Sequence, residues 1–205
     1  FPMYRVTNST GEILPEANAI ELDQELAEKM YNTMGKIQAL DDIFYNAQRQ
    51  GRISFYMQNA GEEALHVGTA SALKPQDMIL AQYREVGVLL WRGFSVQQCA
   101  DQCYSNEKDL GKGKQMPVHY GSKELNFQTI SSPLTTQLPQ AAGAAYAQKM
   151  AGADAVTVVY FGEGAASEGD FHAGKSYTMC YILYVLCILY TLYTLNTVHS
   201  KYSIL

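Results

Sequence analysis

The segment from Val156 to Gly169 constrains the fold of this chain more than any other. It reads Val-Thr-Val-Val-Tyr-Phe-Gly-Glu-Gly-Ala-Ala-Ser-Glu-Gly, a β-branched run that ends at an acidic residue between two glycines. The run is typical of a short buried strand, and the glycines would allow a sharp turn and the close approach of a ligand. Glu163 therefore lies at the carboxyl end of a strand, where open α/β sheets bind their ligands.

The residues after Glu163 predict a helix that begins at Ala165 and Ala166. The amide groups of a helix start attract an anion. A carboxylate that can bind Mg²⁺ would thus lie beside a helix start that can bind phosphate. This combination favours a metal–diphosphate site. Taken alone, a glutamate at this place is more often solvated or a cap of the following helix.

The rest of the chain predicts an α/β fold with a parallel sheet flanked by helices. We expect helices over 61–73, 96–104 and 165–174, and strands at Met78-Ile79-Leu80 and from Val156. A further helix should begin with Ser132 as N-cap and Pro133 in its first turn, and should run to about Met150. A long amphipathic helix is indicated by apolar residues at three- and four-residue steps: Leu22, Leu26, Met30, Met34, Ile37, Leu40 and Phe44.

Composition is that of an ordinary globular domain. The chain has 205 residues, is 47% hydrophobic and carries a net charge of −5, so it can form a core but is not expected to bind nucleic acid. Cys99 and Cys103 should share one face of a helix as reduced, packed thiols, because a metal pair would need a second pair.

Two further clusters carry possible chemistry. Tyr83-Arg84 follows the strand at Met78, where a guanidinium can hold a phosphate through two hydrogen bonds. Hydroxyl, carbonyl and amide groups gather at Ser131, Ser132, Pro133, Thr136 and Gln137. From the residues alone, a surface ion pair accounts for Arg84 and helix capping accounts for the second cluster.

Several blocks of sequence resemble a known family. Gly162-Glu-Gly-Ala-Ala-Ser-Glu-Gly-Asp170 is similar to the first half of the thiamin diphosphate motif of 2-oxo acid dehydrogenases. Four longer blocks resemble the alpha subunits of the branched-chain 2-oxo acid dehydrogenases: Gln50-Gly-Arg-Ile-Ser-Phe-Tyr-Met57, Gln82-Tyr-Arg-Glu-Val-Gly87, Gln115-Met-Pro-Val-His-Tyr-Gly121 and Ile130-Ser-Ser-Pro-Leu-Thr-Thr-Gln137. The resemblance runs from Phe1 to about Gly174.

This resemblance implies a thiamin diphosphate-binding fold and the roles of individual residues, none of them catalytic. Glu163 would bind Mg²⁺, while Tyr83, Arg84, Gly164 and Ala165 would contact the cofactor's diphosphate. Ser132 matches a further cofactor contact, and Leu134 lies nearby on the substrate side. The positions that match K⁺ ligands are Ser131, Pro133, Thr136 and Gln137.

The resemblance also implies a reaction and its partners. Such enzymes decarboxylate branched-chain 2-oxo acids in the mitochondrial matrix and pass the acyl group to a lipoyl-lysine of the acyltransferase component. Their alpha and beta subunits form an α₂β₂ heterotetramer. For this chain we expect no nucleic-acid and no membrane partner. Two alternatives remain: an alpha subunit like that of pyruvate dehydrogenase, and a non-catalytic truncated paralogue that only binds the beta subunit.

Other motifs in the chain suggest different chemistry. Gly169-Asp-Phe-His-Ala-Gly-Lys-Ser176 satisfies the phosphate-loop pattern, but it does not follow its strand directly, as such a loop must. Glu168, Asp170 and His172 lack the second half of a zinc site. His119 is a possible proton-transfer group, although loop histidines are more often simply hydrogen-bonded. Lys112 and Lys114, nearby in the glycine-rich loop, are more often solvated than bound to phosphate.

The chain is divided into residues 1–50 with the long helix, 51–174 as a partial cofactor-binding domain, and 175–205 as an aberrant low-complexity tail. It begins at Phe1 as a fragment would, and residues 176–200 contain no Asp, Glu, Lys or Arg. Tyrosines and threonines spread through the tail weaken a membrane-helix interpretation. We expect that this tail is translated intron or the product of a frameshift, and that it lacks the family's Asn-Asn-Gly-Tyr turn. Residues 156–160 would then form an exposed strand edge, and we expect the chain to be inactive.

Overall fold

The computed structural model describes residues 5–15, 22–181 and 185–190. Helix α1 spans Gln24–Arg49, and the side chain of its N-cap Asp23 accepts a hydrogen bond from the amide of Leu26. The predicted apolar periodicity is confirmed from Leu26 onward, because Ile37, Leu40 and Phe44 are buried in the core. Leu22 precedes the helix and is exposed.

Helix α2 spans Glu63–Ser71 and strand β1 spans Met78–Leu80, close to their predicted positions. Helix α3, Val86–Trp91, was not predicted, since a buried six-residue helix shows no amphipathic period. Helix α4 covers Val96–Cys103 and begins with a capping box between Ser95 and Gln98. On α4 the predicted packed thiols are confirmed, because both cysteines are free and buried.

Strand β2, Thr157–Gly162, lies at the centre of a parallel sheet of order β1-β2-β3 among the described residues. Strand β3, Val185–Tyr190, pairs with it along its whole length. The expected α/β organisation is thereby confirmed. The expectation that 156–160 would form an exposed edge is wrong, since β2 has a parallel neighbour on each side.

Helix α5 spans Gln137–Met150 with Thr136 as N-cap. The predicted start at Ser132 is wrong because Thr135 adopts a φ of 65°, a left-handed conformation that no right-handed helix can include. Residues 133–136 form a turn instead. Leu138 and Ala141 of the helix pack against the sheet, in a cluster with Leu80, Val159, Phe161 and Ala165.

The predicted helix over 165–174 consists of a 3-10 turn, Gly164–Ser167, and helix α6, Gly169–Tyr181. Helix α6 lies close against α5, since a Cβ at Gly174 would stand 3.0 Å from the Cβ of Leu138. The phosphate-loop alternative is contradicted, because its glycine and lysine positions lie in a helix rather than in a loop. The boundary expected at Gly174 falls inside α6, and residues 182–184 and 191–205 of the expected tail lie outside the described residues.

No helix in the described part of the chain combines the length and apolarity needed to cross a membrane.

Candidate functional site

Two of the predicted site segments leave the sheet at the same edge. Strand β1 ends at Leu80, which pairs in parallel with Val159 of β2. Parallel strands present their carboxyl ends to one edge of the sheet. The residues that follow the two strands, Tyr83-Arg84 and Glu163, therefore lie at one edge.

A third segment reaches this edge beside β1. Phe127 forms a parallel bridge with Ile79, and the amide of Gln128 donates to the Ile79 carbonyl oxygen at 2.8 Å. The chain then continues in the direction of β1 into residues 131–137, which comprise the turn at 133–136, the two residues before it and the first residue of α5, and which are called the 131–137 turn below. The fold thus brings together three segments that are far apart in sequence.

The side chains of Tyr83 and Arg84 are half-buried at the exit of β1. Nη2 of Arg84 lies 3.1 Å from the Sδ of Met57, and its Cζ lies 5.3 Å from the centre of the Tyr83 ring. The surface ion pair considered from sequence is not formed with any described residue. Instead the guanidinium is held between a thioether and an aromatic ring, which leaves most of its five donors available to a ligand.

The turn at residues 131–137 is rich in oxygen atoms. The Oγ1 of Thr136 donates to the Pro133 carbonyl oxygen at 3.2 Å, and the buried Thr135 hydroxyl donates to the Leu134 carbonyl oxygen at 2.7 Å. The side chain of Leu134 is exposed. Because Thr136 makes no side-chain capping bond to α5, helix capping does not account for this cluster.

Gln137 ties the turn to strand β2. Its side chain is buried, and Nε2 donates to the carbonyl oxygen of Tyr160 at 2.9 Å. Burial also raises the pKa of the Tyr160 hydroxyl. The Oε1 of Gln137 is buried without a hydrogen-bond partner among the described residues. A buried acceptor without a partner costs about 1–3 kcal/mol, and a bound cation would satisfy it.

Glu163 begins the 3-10 turn after β2. Its main-chain oxygen accepts from the Ala166 amide at 3.0 Å, and its exposed carboxylate makes no capping bond to that turn. The capping alternative is therefore contradicted at this turn. The flanking Gly162 and Gly164 do not adopt a positive φ, so the expected need for glycine flexibility is wrong. A Cβ at either would meet nothing within 4 Å, and the approach to the strand end is open.

A cavity of about 460 Å³ lies beside the turn. Its wall includes Ser131, Ser132 and Pro133, and it is completed by residues of the 115–119 loop, the 128–130 segment and Gln140. His119 is buried and hydrogen-bonds Ser132 through Nε2. Arg84 and Glu163 do not line this cavity. They lie at the same edge of the sheet as the turn, because of the order and direction of the strands, but they do not share one pocket with it.

The predicted alternatives near Glu163 gain no support. Among the residues that the structure describes, no group of three or more His, Cys, Asp and Glu side chains is placed to hold a metal ion. The ring of His172 instead packs edge-on against Phe171 at 5.5 Å. Lys112 and Lys114 are exposed, in agreement with solvated side chains.

Comparison with known proteins identifies the family. The profile of the dehydrogenase E1 component family matches residues 31–189. The chain belongs to this family. The match extends past Gly174, where the sequence resemblance was expected to stop, and it includes all of strand β3 except Tyr190.

Curated relatives of this E1 chain carry consistent names. Subunit alpha of the mitochondrial 2-oxoisovalerate dehydrogenase from Caenorhabditis elegans is 56% identical over 177 residues, which is 86% of this chain and 41% of the relative. Subunit alpha 1 from Arabidopsis thaliana is 54% identical over 176 residues and is covered to 37%. The Homo sapiens subunit alpha is 54% identical and is covered to 40%. The chain thus spans about two fifths of the length of these relatives.

Two contacts of this E1 chain were not anticipated from its sequence. In the sequence, Met57 is only part of a resembling block, and nothing in the pattern places it on Arg84. His119 is recognisable as a loop histidine, but nothing in the pattern connects it with Ser132. Both contacts join residues distant in sequence, and periodicity carries no signal for such pairs.

Proposed function

We propose that this chain is part of the alpha subunit of a thiamin diphosphate-dependent 2-oxoisovalerate dehydrogenase, which oxidatively decarboxylates branched-chain 2-oxo acids. The observation that carries the proposal is the convergence of three segments at one sheet edge. They present a guanidinium from Arg84, a carboxylate from Glu163 and an oxygen-rich turn at 131–137. The names of the 54–56% identical relatives support the substrate class.

The residues present fit the groups that this function requires. A carboxylate suits Mg²⁺, which prefers hard oxygen ligands, and a planar guanidinium suits a diphosphate. The open space beside Gly162 and Gly164 allows a phosphate to approach the main chain. The unpartnered Oε1 of Gln137 gives a cation a carbonyl oxygen to bind.

We assign the roles accordingly. Glu163 would bind Mg²⁺, and Tyr83, Arg84, Gly164 and Ala165 would hold the diphosphate. Ser132 would contact the cofactor, with Leu134 towards the substrate. Oxygen atoms of the 131–137 turn would hold K⁺: those of Ser131, Pro133, Thr136 and Gln137. These residues bind and orient the cofactor in a thiamin diphosphate-binding fold.

When bound, thiamin diphosphate supplies the carbon nucleophile and the electron sink for loss of CO₂. The chain's contribution is positional: charge neutralisation at the diphosphate and a fixed turn beside it. The side chain of Arg84 is already held by Met57 and Tyr83 at the exit of β1. Preorganised groups of this kind lower the entropic cost of binding.

We further propose that the subunit assembles with a beta subunit as an α₂β₂ heterotetramer in the mitochondrial matrix. The acyl group would pass to the lipoyl acyltransferase component. The relatives are named as mitochondrial alpha subunits, which supports the location and the presence of a second kind of subunit.

The test uses the full-length subunit that contains these residues, assembled with its beta subunit. We expect thiamin diphosphate-dependent release of CO₂ from 3-methyl-2-oxobutanoate at a higher kcat/KM than from pyruvate. A preference for pyruvate would overturn the substrate assignment. The absence of both activities in a correctly assembled complex would favour the binding-only alternative.

A matched pair of variants tests the metal assignment in the same complex. Glu163→Ala should weaken Mg²⁺-dependent cofactor binding at least tenfold, because it removes the carboxylate ligand. Glu168→Ala removes a neighbouring exposed carboxylate and should leave binding unchanged. Equal effects of the two variants would show that only local charge matters.

A further inference from the structure

The contact between His119 and Ser132 fixes the direction of a hydrogen bond in the cavity. His119 is 5% exposed. Its Nδ1 lies 3.0 Å from the carbonyl oxygen of Pro117, and its Nε2 is hydrogen-bonded to the Oγ of Ser132. Both ring nitrogens therefore have partners.

The chemistry of the two partners determines the tautomer. A carbonyl oxygen can only accept, so Nδ1 must carry the hydrogen of the ring. Nε2 of the neutral imidazole is then an acceptor, and the Ser132 hydroxyl must donate to it. Met116 Sδ, 3.9 Å from the same hydroxyl, is a weaker acceptor and does not compete.

A serine hydroxyl has one hydrogen and two lone pairs. With its hydrogen directed to His119, Ser132 has only lone pairs left for the cavity that it lines. A phosphate oxygen, which also only accepts, would find no hydrogen there. An N–H or O–H group of a ligand would find an acceptor.

We propose that His119 is a positioning residue that makes Ser132 a hydrogen-bond acceptor for a nitrogen-bound hydrogen of the cofactor, and not a donor to its diphosphate. This inference rests on the proposed function for the identity of the ligand. It divides the site into two parts: Arg84 and Glu163 meet the anionic end of the molecule, and Ser132 meets a neutral donor of the organic part.

Two substitutions of His119 separate positioning from loop support. His119→Gln can place an amide oxygen near the position of Nε2, so it retains an acceptor for Ser132 and loses the bond to Pro117. His119→Asn can place an amide N–H near the position of Nδ1, so it retains the bond to Pro117 and loses the acceptor. In the assembled complex, we expect Gln to keep the dissociation constant for thiamin diphosphate within about twofold and Asn to raise it about five- to tenfold.

The opposite order would overturn the proposal in favour of loop support: His119→Asn would keep the dissociation constant for thiamin diphosphate, and His119→Gln would raise it. Thermal melting of both variants checks that each is folded. If neither assembles, Ser132→Ala and Ser132→Cys carry the test. Alanine removes the acceptor and should weaken cofactor binding about five- to tenfold; cysteine, a poor acceptor, should not restore it.

The choice of probe locates the contact. Calorimetry with Mg²⁺ and inorganic pyrophosphate measures the anionic end alone. Ser132→Ala should leave pyrophosphate affinity unchanged, whereas Arg84→Ala should reduce it. A loss of pyrophosphate affinity in Ser132→Ala would show that Ser132 donates to phosphate and would overturn the proposal.

Nitrogen NMR of labelled histidine in the ligand-free complex gives a result that does not depend on the proposed function. We expect a hydrogen on Nδ1 of His119 and none on Nε2. In Ser132→Ala the hydrogen should stay on Nδ1, and only the change in the Nε2 chemical shift that the hydrogen bond causes should be lost. Hydrogen on Nε2 would contradict the inference. Should the tautomer agree while wild type binds no thiamin diphosphate, the proposed function would be wrong and the acceptor role of Ser132 would stand.

Discussion

Nη2 of Arg84 lies 3.1 Å from the sulfur of Met57, so a loop before α2 holds the guanidinium at the exit of β1. The loop is itself anchored to α1: the hydroxyl of Tyr56 and the amide of Asn59 both donate to the buried carboxyl of Asp41. A thioether is a weak acceptor. It can therefore orient the arginine without competing with an anionic ligand.

The first prediction concerns this arginine. Arg84→Ala should weaken thiamin diphosphate binding by about 2 kcal/mol, as expected for a charge-assisted hydrogen-bonded pair. Met57→Leu keeps the apolar volume but removes the sulfur, and should change the affinity by less than about 0.5 kcal/mol. Calorimetry on the assembled complex measures both. Unchanged affinity in Arg84→Ala would remove this residue from the site.

The second prediction concerns K⁺. Thr136→Ala should lower the Tm more in K⁺ buffer than in K⁺-free buffer, because it removes one proposed oxygen ligand and with it part of the binding energy linked to folding. Thr33→Ala is the control, since that hydroxyl bonds the Lys29 carbonyl oxygen within α1 at 2.8 Å. Its effect should be the same in both buffers. An equal loss for Thr136→Ala would mean that no K⁺ is bound there.

The third prediction is a pH dependence of stability that originates at Asp41. Burial is the largest cause that raises the pKa of this carboxyl above 3.8, so the folded chain keeps a proton where the unfolded chain has lost one. The stabilisation is complete below pH 3.8 and is lost as the pH rises through the folded-state pKa.

Urea unfolding of wild type and Asp41→Asn over this pH range checks the sign. The free energy of unfolding of wild type, relative to the variant, should fall as the pH rises above 3.8. Asp42→Asn, an exposed neighbour on α1, controls for the loss of one charge. Parallel profiles for wild type and Asp41→Asn would contradict the prediction.

The fourth prediction compares two glycines in helices. A Cβ at Gly87 in α3 would lie 2.6 Å from Cδ1 of Ile37 and 2.7 Å from Cβ of His66. Gly87→Ala should therefore destabilise the fold by about 1–3 kcal/mol through overpacking. At Gly143 in α5 the same change meets nothing within 4 Å and should stabilise the helix by up to about 1 kcal/mol. The denaturant midpoints of the two variants, each compared with wild type, test this prediction. Equal changes in the two midpoints would show that α3 can move aside to accommodate the added methyl group.

Strong periodic or compositional signals made parts of the fold predictable. The apolar spacing of α1 and the β-branched run of β2 each report a buried face directly, and both elements form where expected. The start of α5 was misplaced because Ser132-Pro133 has the residues of a helix start, while the positive φ of Thr135 depends on the surrounding structure. Local chemistry cannot reveal a conformation imposed by tertiary contacts.

The sequence selects candidate site residues but carries little information about their geometry. Glu163 and Arg84 could be selected because each follows a recognisable strand. Their common edge requires the parallel register of β1 and β2, and that register is a long-range property. The place of β3 was missed because its residues lie in a segment whose composition suggested no ordered element.

The order of the strands has a consequence for how the protein is made. Of the three segments at the sheet edge, a ribosome releases Arg84 first, then the 131–137 turn, and β2 with Glu163 last. Glu163 joins the other two only when β2 pairs with β1. A nascent chain that ends before β2 has no assembled sheet edge to offer a ligand. Loading of any cofactor at this edge must therefore come late, after the central strand has emerged and docked.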